Sequence, residues 1–183
     1  MDVTDERLAD SLAAFEKEQD PTLLHQALDL IEAAEREIPP GDTAARRKAV
    51  SWRLRFFATL ERHIDPRWNV DEQPVLEISP PVTRDGVVHG SGAIDPASIA
   101  DPVERAEYER ALKASMEQVR WYEAQYQLRR LDERAMRFAE LFLAQRYTGS
   151  PEEGRELEEL LAEWPVDETR KERLRAALGR GTR

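Results

Sequence analysis

The sequence predicts an all-α protein of five to six helices: an N-terminal three-helix unit, an extended linker, and one long helix packed by two short C-terminal helices. Clear helix starts support this fold, because Ser150 and Asp101 each precede a proline and stand three residues before a glutamate. Apolar residues recur at helical spacing through most of the chain. Glycine is scarce, with 8 in 183 residues, and only one long segment lacks a helical period.

Three helices are expected before residue 65, over 4–18, 21–37 and 43–64. Short loops join them, so they should pack as antiparallel neighbours. The apolar stripes of the first two are Leu8, Leu12 and Phe15, then Leu24, Leu28, Ile31 and Ile38. The stretch "ALDLIEAAEREIPPGD" resembles the second helix and terminating proline of a tetratricopeptide repeat. That resemblance covers at most about 60 residues and implies only a helical hairpin.

The third helix should be the central element of this half. Its apolar residues cover an arc of about 200° at 100° per residue, so it should contact two neighbours. Arg53 falls inside that arc. We expect its methylene stem to pack while its guanidinium reaches solvent. The alternative is a buried ion pair with a carboxylate from another segment.

The linker, residues 65–100, has no helical period and holds five of the eleven prolines. The stretch "PVLEIS" could form a short strand and "TRDG" a turn, but no second strand of comparable length is evident. A connection of this length is usually functional or disordered. Its scattered apolar residues lead us to expect partial order.

The fourth helix, from about 102 to 147, contains no glycine or proline after Pro102 at its first position. Its apolar stripe changes direction by about 130° between Tyr126 and Leu131, taking 100° per residue. We expect one continuous helix that changes packing partners there, because the intervening residues are good helix formers and none supplies a cap. Phe138 and Phe142 should then pack on the two C-terminal helices.

Those two helices are expected over 150–164 and 167–178, the second ended by Gly179. The predicted segments are therefore a three-helix unit at 1–64, the linker at 65–100, and the long helix with its two followers at 101–183. Together they could form one compact domain.

Charge and composition exclude some functions. The net charge of −10 argues against nucleic-acid binding. Residues 43–67 and 169–183 nevertheless carry +5 each, either to neutralise acidic neighbours within the fold or to bind an acidic partner.

No run is long and apolar enough for a membrane span. Cysteine is absent, which leaves the compartment open, with the cytoplasm as the default and export after removal of a leader as the alternative.

No pattern of catalytic or metal-binding residues emerges. The three histidines, His25, His63 and His89, lie in separate segments without the spacing of a zinc or di-iron site. His63 shares the apolar side of the third helix and is expected to be a packing residue. We therefore predict no catalytic residue, cofactor or metal ion.

The cluster of aromatic residues and arginines in the long helix is the candidate binding site. Tyrosine, tryptophan and arginine are the types that dominate protein interfaces, although core and boundary packing also explains them. Its members are Trp121, Tyr122, Tyr126, Arg129 and Arg130. The predicted function is a non-enzymatic protein-interaction or scaffold protein with an unidentified protein partner and an undetermined oligomeric state. The alternative is an enzyme or small-ligand-binding protein with a site between the helices and the His89 loop.

Overall fold

The chain is described from a computed structural model, over residues 3–39, 41–66, 82–84, 87–89, 94–164 and 167–180. The fold is all-α, as predicted, with one short hairpin and one 3₁₀ turn (Pro96–Ser98) among these residues. The helices are α1 (Val3–Glu18), α2 (Pro21–Arg36), α3 (Thr43–His63), α4 (Pro102–Arg146), α5 (Pro151–Ala162) and α6 (Glu168–Arg180). None of the described helices is both long and apolar enough to cross a membrane.

Local sequence signals explain most of these boundaries. The Ser150 hydroxyl accepts a hydrogen bond from the Glu153 amide, and the Glu153 carboxylate accepts one from the Ser150 amide, so a full capping box starts α5. Asp20 caps α2 in a related way. The expected stop at Gly179 is wrong, because α6 continues to Arg180. Glycine ends a helix when it turns left-handed, and Gly179 is not among the residues with a positive φ.

The chain divides into two compact units, unit 1 (Met1–Ile64 with Gln127–Arg183) and unit 2 (Asp65–Tyr126). The core of unit 1 draws on α1, α2, α3, the second half of α4, α5 and α6. In unit 2, Ile99 and Tyr108 form a small buried cluster against Ile94 and Leu112. The predicted segments 1–64, 65–100 and 101–183 stay a prediction about folding domains.

Helix α4 is continuous through the residues where its apolar stripe turns, as expected. Phe138 and Phe142 line a groove with residues of α2, a neighbour that was not predicted for them. The same half of α4 contacts α6, one of the two predicted neighbours, through Asp132 and Glu140, which bind Arg170 and Arg173. The buried arc of this half also includes Leu128, Met136, Ala139 and Leu143, so it is wide enough to serve two neighbours at once.

A short hairpin was not foreseen in the linker. Strand β1 (Val82–Arg84) pairs antiparallel with β2 (Val87–His89), with Val82 opposite His89. Three-residue strands are too short to show a period, but the intervening Asp85-Gly86 dipeptide is a strong hairpin signal that could have revealed it. The stretch "PVLEIS" lies outside the described residues.

Candidate functional site

Three aromatic residues lie within six positions of α4 in unit 2, and we call them the aromatic cluster: Trp121, Tyr122 and Tyr126. The rings of Trp121 and Tyr122 meet edge to face, with centroids 4.9 Å apart. Trp121 is 40% exposed and Tyr126 44% exposed, while Tyr122 is half-buried. Two of the three therefore keep a large part of their apolar surface in water.

The two arginines of the predicted site belong to unit 1 and are taken separately. Arg130 is exposed, whereas Arg129 is half-buried. The positive charge of Arg129 acts on Asp132, one turn further along α4, and favours its ionised form. Arg129 therefore contributes to the internal electrostatics of unit 1, and only Arg130 keeps the exposure that a binding residue requires.

Arg53 does not reach solvent as expected but forms the buried ion pair that was the alternative. Its Nε donates to Glu35 Oε1 at 2.6 Å, its Nη2 donates to Glu35 Oε2, and its Nη1 donates to the Ala135 carbonyl at 3.0 Å. One guanidinium thus joins α2, α3 and α4. Burial raises the pKa of Glu35, although Arg53 offsets part of that effect. Arg53 is fully engaged and unavailable to a ligand.

Most of the basic residues in α3 and α6 have carboxylate partners inside unit 1. The pairs in α3 are Arg46–Glu153, Arg47–Glu159, Lys48–Asp5, Arg53–Glu35 and Arg62–Glu16. In α6 the paired cations are Arg170, Lys171, Arg173 and Arg175. The two basic segments therefore neutralise acidic neighbours within the fold, which favours that interpretation over a basic docking surface.

A second buried cluster centres on Arg170 of α6. Its Nη1 lies 3.2 Å from Glu61 Oε2, and its Nη2 donates to Asp132 Oδ2 at 2.6 Å. Burial raises the pKa values of both carboxyls, with Arg170 opposing the change. Carboxyl groups with raised pKa values occur at acid–base sites, but neither of these lines any of the three grooves described below. Their role is to hold α6 against α3 and α4.

The junction between α4 and α5 is built around Glu153. One carboxylate oxygen accepts from the Thr148 amide at 2.7 Å and from the Gly149 amide at 3.0 Å, while the other accepts from Arg46 at 3.0 Å. Arg46 also donates to the Arg146 carbonyl and lies over the Tyr147 ring. Burial raises the pKa of Tyr147 to about 12. This junction satisfies backbone groups at the end of one helix and the start of the next.

We expect Glu153→Gln to lower the free energy of unfolding at pH 7 by about 1.5–3 kcal/mol, because it weakens hydrogen bonds to a charged group. Burial alone raises the pKa of Glu153, but hydrogen bonds from Thr148 and Ser150 and the charge of Arg46 outweigh it, so the pKa is lowered. The carboxylate therefore stabilises the fold above its ordinary pKa of 4.5, and this contribution is lost as the pH falls through the lowered value.

Urea unfolding of wild type and Glu153→Gln at pH 7, 5, 4 and 3 checks this prediction. The difference in stability should shrink below about pH 4.5. The neighbouring Glu152, which is exposed, supplies the control: Glu152→Gln should change stability by less than about 0.5 kcal/mol at pH 7. A difference between wild type and Glu153→Gln that stays constant down to pH 3 would contradict the assigned role of the charge.

A groove between α2 and α4 in unit 1, the α2–α4 groove, has a volume of about 200 Å³. Its apolar wall comes from α4, where Leu141 is 45% exposed. Helix α2 contributes two buried glutamates and an exposed arginine. The lining residues are Glu32, Glu35, Arg36, Phe138, Leu141, Phe142, Gln145 and Arg146. It is the one of the three grooves described here with a largely exposed leucine on its wall.

Two further grooves lie beside α5. One, between α3 and α5, is lined by Leu54, Leu160 and Trp164 and carries both Arg55 and Glu163 at its polar edge. The other, between α5 and α6, includes Arg175, whose guanidinium already binds Glu158. The charges at both grooves are mixed or internally paired, so neither selects a ligand by charge.

The histidines are not brought together among the described side chains. His63 packs edge to face on Phe15, and its Nδ1 lies 2.9 Å from the Thr59 carbonyl, in keeping with the expected packing role. His25 is half-buried on α2, and the side chain of His89 lies outside the described part of the chain. No group of three or more potential metal ligands occurs in the part of the chain that the structure describes.

Comparison with family models, curated proteins and solved structures finds no match for this chain.

Proposed function

We propose that this chain is a non-enzymatic protein-interaction or scaffold protein, and that its aromatic cluster contacts the protein partner. The observation that carries the proposal is the exposed Trp121, whose ring meets the half-buried Tyr122 edge to face, together with the exposed Tyr126 one turn after Tyr122. Tryptophan and tyrosine supply large contact areas with few rotatable bonds and are the types most enriched at binding hot spots.

The distribution of exposed apolar side chains also favours α4 as the helix that contacts the partner. Among the described residues, the large apolar side chains that are exposed are Val103, Met116, Trp121, Tyr126 and Leu141. All of them lie on α4. In the other helices, the large apolar side chains that the structure describes are buried or half-buried. Helix α4 therefore offers the apolar area that a partner could remove from water.

Charge supports a protein partner over a nucleic acid. The cations of α3 and α6 are largely paired with carboxylates, and the chain carries a net charge of −10. A phosphate backbone requires unpaired lysine and arginine side chains along one surface. A cytoplasmic location stays our default proposal, and we propose no catalytic residue, cofactor or metal ion.

We expect a photo-crosslinking residue, p-benzoylphenylalanine, placed at Trp121 to capture a discrete protein partner in the native host. The same residue at Glu123 is the matched control, because Glu123 is exposed on the same helix but points about 200° away around the axis. Adducts should be read by mass spectrometry. No adduct from position 121, or equal adducts from both positions, would contradict the proposal.

A stability measurement accompanies the crosslink. Trp121→Ala should change the free energy of unfolding by less than about 1 kcal/mol, since the side chain is 40% exposed, yet it should abolish capture of the partner by a crosslinker placed at the neighbouring Tyr122. A larger loss of stability would assign Trp121 to the packing of unit 2 instead.

A further inference from the structure

The α2–α4 groove has the dimensions of a binding site for a helical segment. Its α4 wall is formed by Phe138, Leu141, Phe142, Gln145 and Arg146, which are spaced i, i+3, i+4, i+7 and i+8 and so follow one stripe of the helix. That stripe is about 12 Å long at 1.5 Å per residue. Two turns of another helix match this length.

The apolar part of the groove is accessible from solvent. Leu141 is 45% exposed, Phe138 is half-buried, and Phe142 closes the inner side. Small-molecule sites usually enclose most of their ligand, whereas a wall this open would leave a small molecule largely in water. The geometry therefore favours a segment that extends beyond the groove at both ends.

The charges at the groove indicate the sign of its partner. The buried carboxylates of Glu32 and Glu35 already bind Arg134 and Arg53, respectively. Arg134 also binds the exposed Asp29 at 2.6 Å, so these two guanidinium groups face three carboxylates in this part of unit 1.

Two guanidinium groups at the groove are much less compensated. The side chain of Arg36 is 71% exposed and lies 3.7 Å from Glu32, a carboxylate that Arg134 binds more closely at 3.0 Å. The side chain of Arg146 is half-buried, and its guanidinium has no ion-pair partner among the described residues. With Arg36 and Arg146 included, four guanidinium groups stand against the three carboxylates of Asp29, Glu32 and Glu35, so the edge of the groove carries a small net positive charge.

We propose that the α2–α4 groove binds an acidic amphipathic helix of a protein partner. Apolar side chains spaced three and four residues apart in that helix would cover Leu141 and Phe138, and flanking aspartate or glutamate carboxylates would pair with Arg36 and Arg146. This surface lies within unit 1 and does not depend on the aromatic cluster, so the two proposals can fail independently.

A display library of random peptides of about 16 residues, selected on the wild-type protein and depleted on Leu141→Glu, tests the partner chemistry. We expect enrichment of peptides with apolar residues at i and i+3 or i+4 next to aspartate or glutamate. Failure to enrich any peptide that depends on Leu141, or enrichment of basic peptides, would overturn the proposal.

Fluorescence polarisation of an enriched peptide, labelled with fluorescein, then measures its binding affinity for each variant of the groove. Leu141→Glu and Arg36→Glu should each weaken binding at least tenfold, and replacing the peptide's acidic residues by lysine should restore binding to Arg36→Glu. Both positions are exposed, and circular dichroism verifies that each variant is folded. Trp121→Ala should bind like wild type. Equal binding to all variants would overturn the assignment of the groove.

Discussion

Replacing Glu35 with leucine should lower the free energy of unfolding by about 3–5 kcal/mol, because it leaves the guanidinium of Arg53 buried without a counter-charge. Both side chains of this pair are almost fully buried, and Arg53 also donates to the Ala135 carbonyl of α4. The loss should therefore extend to the contact of α2 and α3 with α4. Urea unfolding of wild type and variant at pH 7 measures it.

The exposed pair of Arg62 and Glu16 is the matched control. The Arg62 side chain is 59% exposed and that of Glu16 is 39% exposed, so Glu16→Leu should cost no more than about 1 kcal/mol. The double variant Glu35→Leu with Arg53→Met should recover most of the lost stability, since apolar residues of similar volume commonly replace a buried ion pair without penalty. A cost for Glu35→Leu equal to that of Glu16→Leu would show that Arg53 can reach solvent.

The pH dependence of Arg53→Met gives an independent check. Burial already raises the pKa of Glu35 while Arg53 is present, and without Arg53 its ionised form is harder still to bury. A group whose pKa is raised by folding destabilises the fold when it is ionised. The stability of Arg53→Met relative to wild type should therefore increase as the pH falls through the raised pKa towards 4.5.

Trp164→Ala should cost about 3–5 kcal/mol, as expected for truncation of a buried aromatic residue. Trp164 is 3% exposed, and its ring stacks on that of Phe57 with centroids 5.6 Å apart and planes 27° apart. The void left by alanine would open beside the core of unit 1. Thermal and urea unfolding measure the loss.

Trp164→Phe provides the decisive comparison. The indole Nε1 of Trp164 is buried and has no hydrogen-bond acceptor in the described structure, so phenylalanine removes an unsatisfied donor while keeping a stacked ring. We expect a cost below about 1.5 kcal/mol. A loss as large as that of alanine would mean that the indole N–H makes a bond in solution.

Helix starts were predictable because their determinants are local. Ser150 and Glu153 form their capping box within four residues, and Asp101 accepts from the Val103 and Glu104 amides. The environment of Arg53 was not predictable, because its partners lie 18 and 82 residues away. The helical period places a residue on a face but does not say which helix covers that face.

The candidate site was predictable only in part, for the same reason. Aromatic type and helical position pointed to Trp121 and Tyr126, and the structure leaves both exposed. The α2–α4 groove escaped notice because Leu141 is one of several apolar residues in a run that reads as core, and because Arg36 belongs to a distant stretch of sequence. No local pattern signals that residues about a hundred positions apart share a groove.

The chain path of unit 1 has a consequence for biosynthesis. Its N-terminal part, residues 1–64, leaves the ribosome well before the remaining part, 127–183, has been translated. During that interval the acceptor of Arg53 on Ala135 and the carboxylate that binds Arg46 do not yet exist. We therefore expect the nascent α1, α2 and α3 to keep part of their apolar surface uncovered until the second part of unit 1 has been translated, a situation in which nascent chains commonly require chaperones.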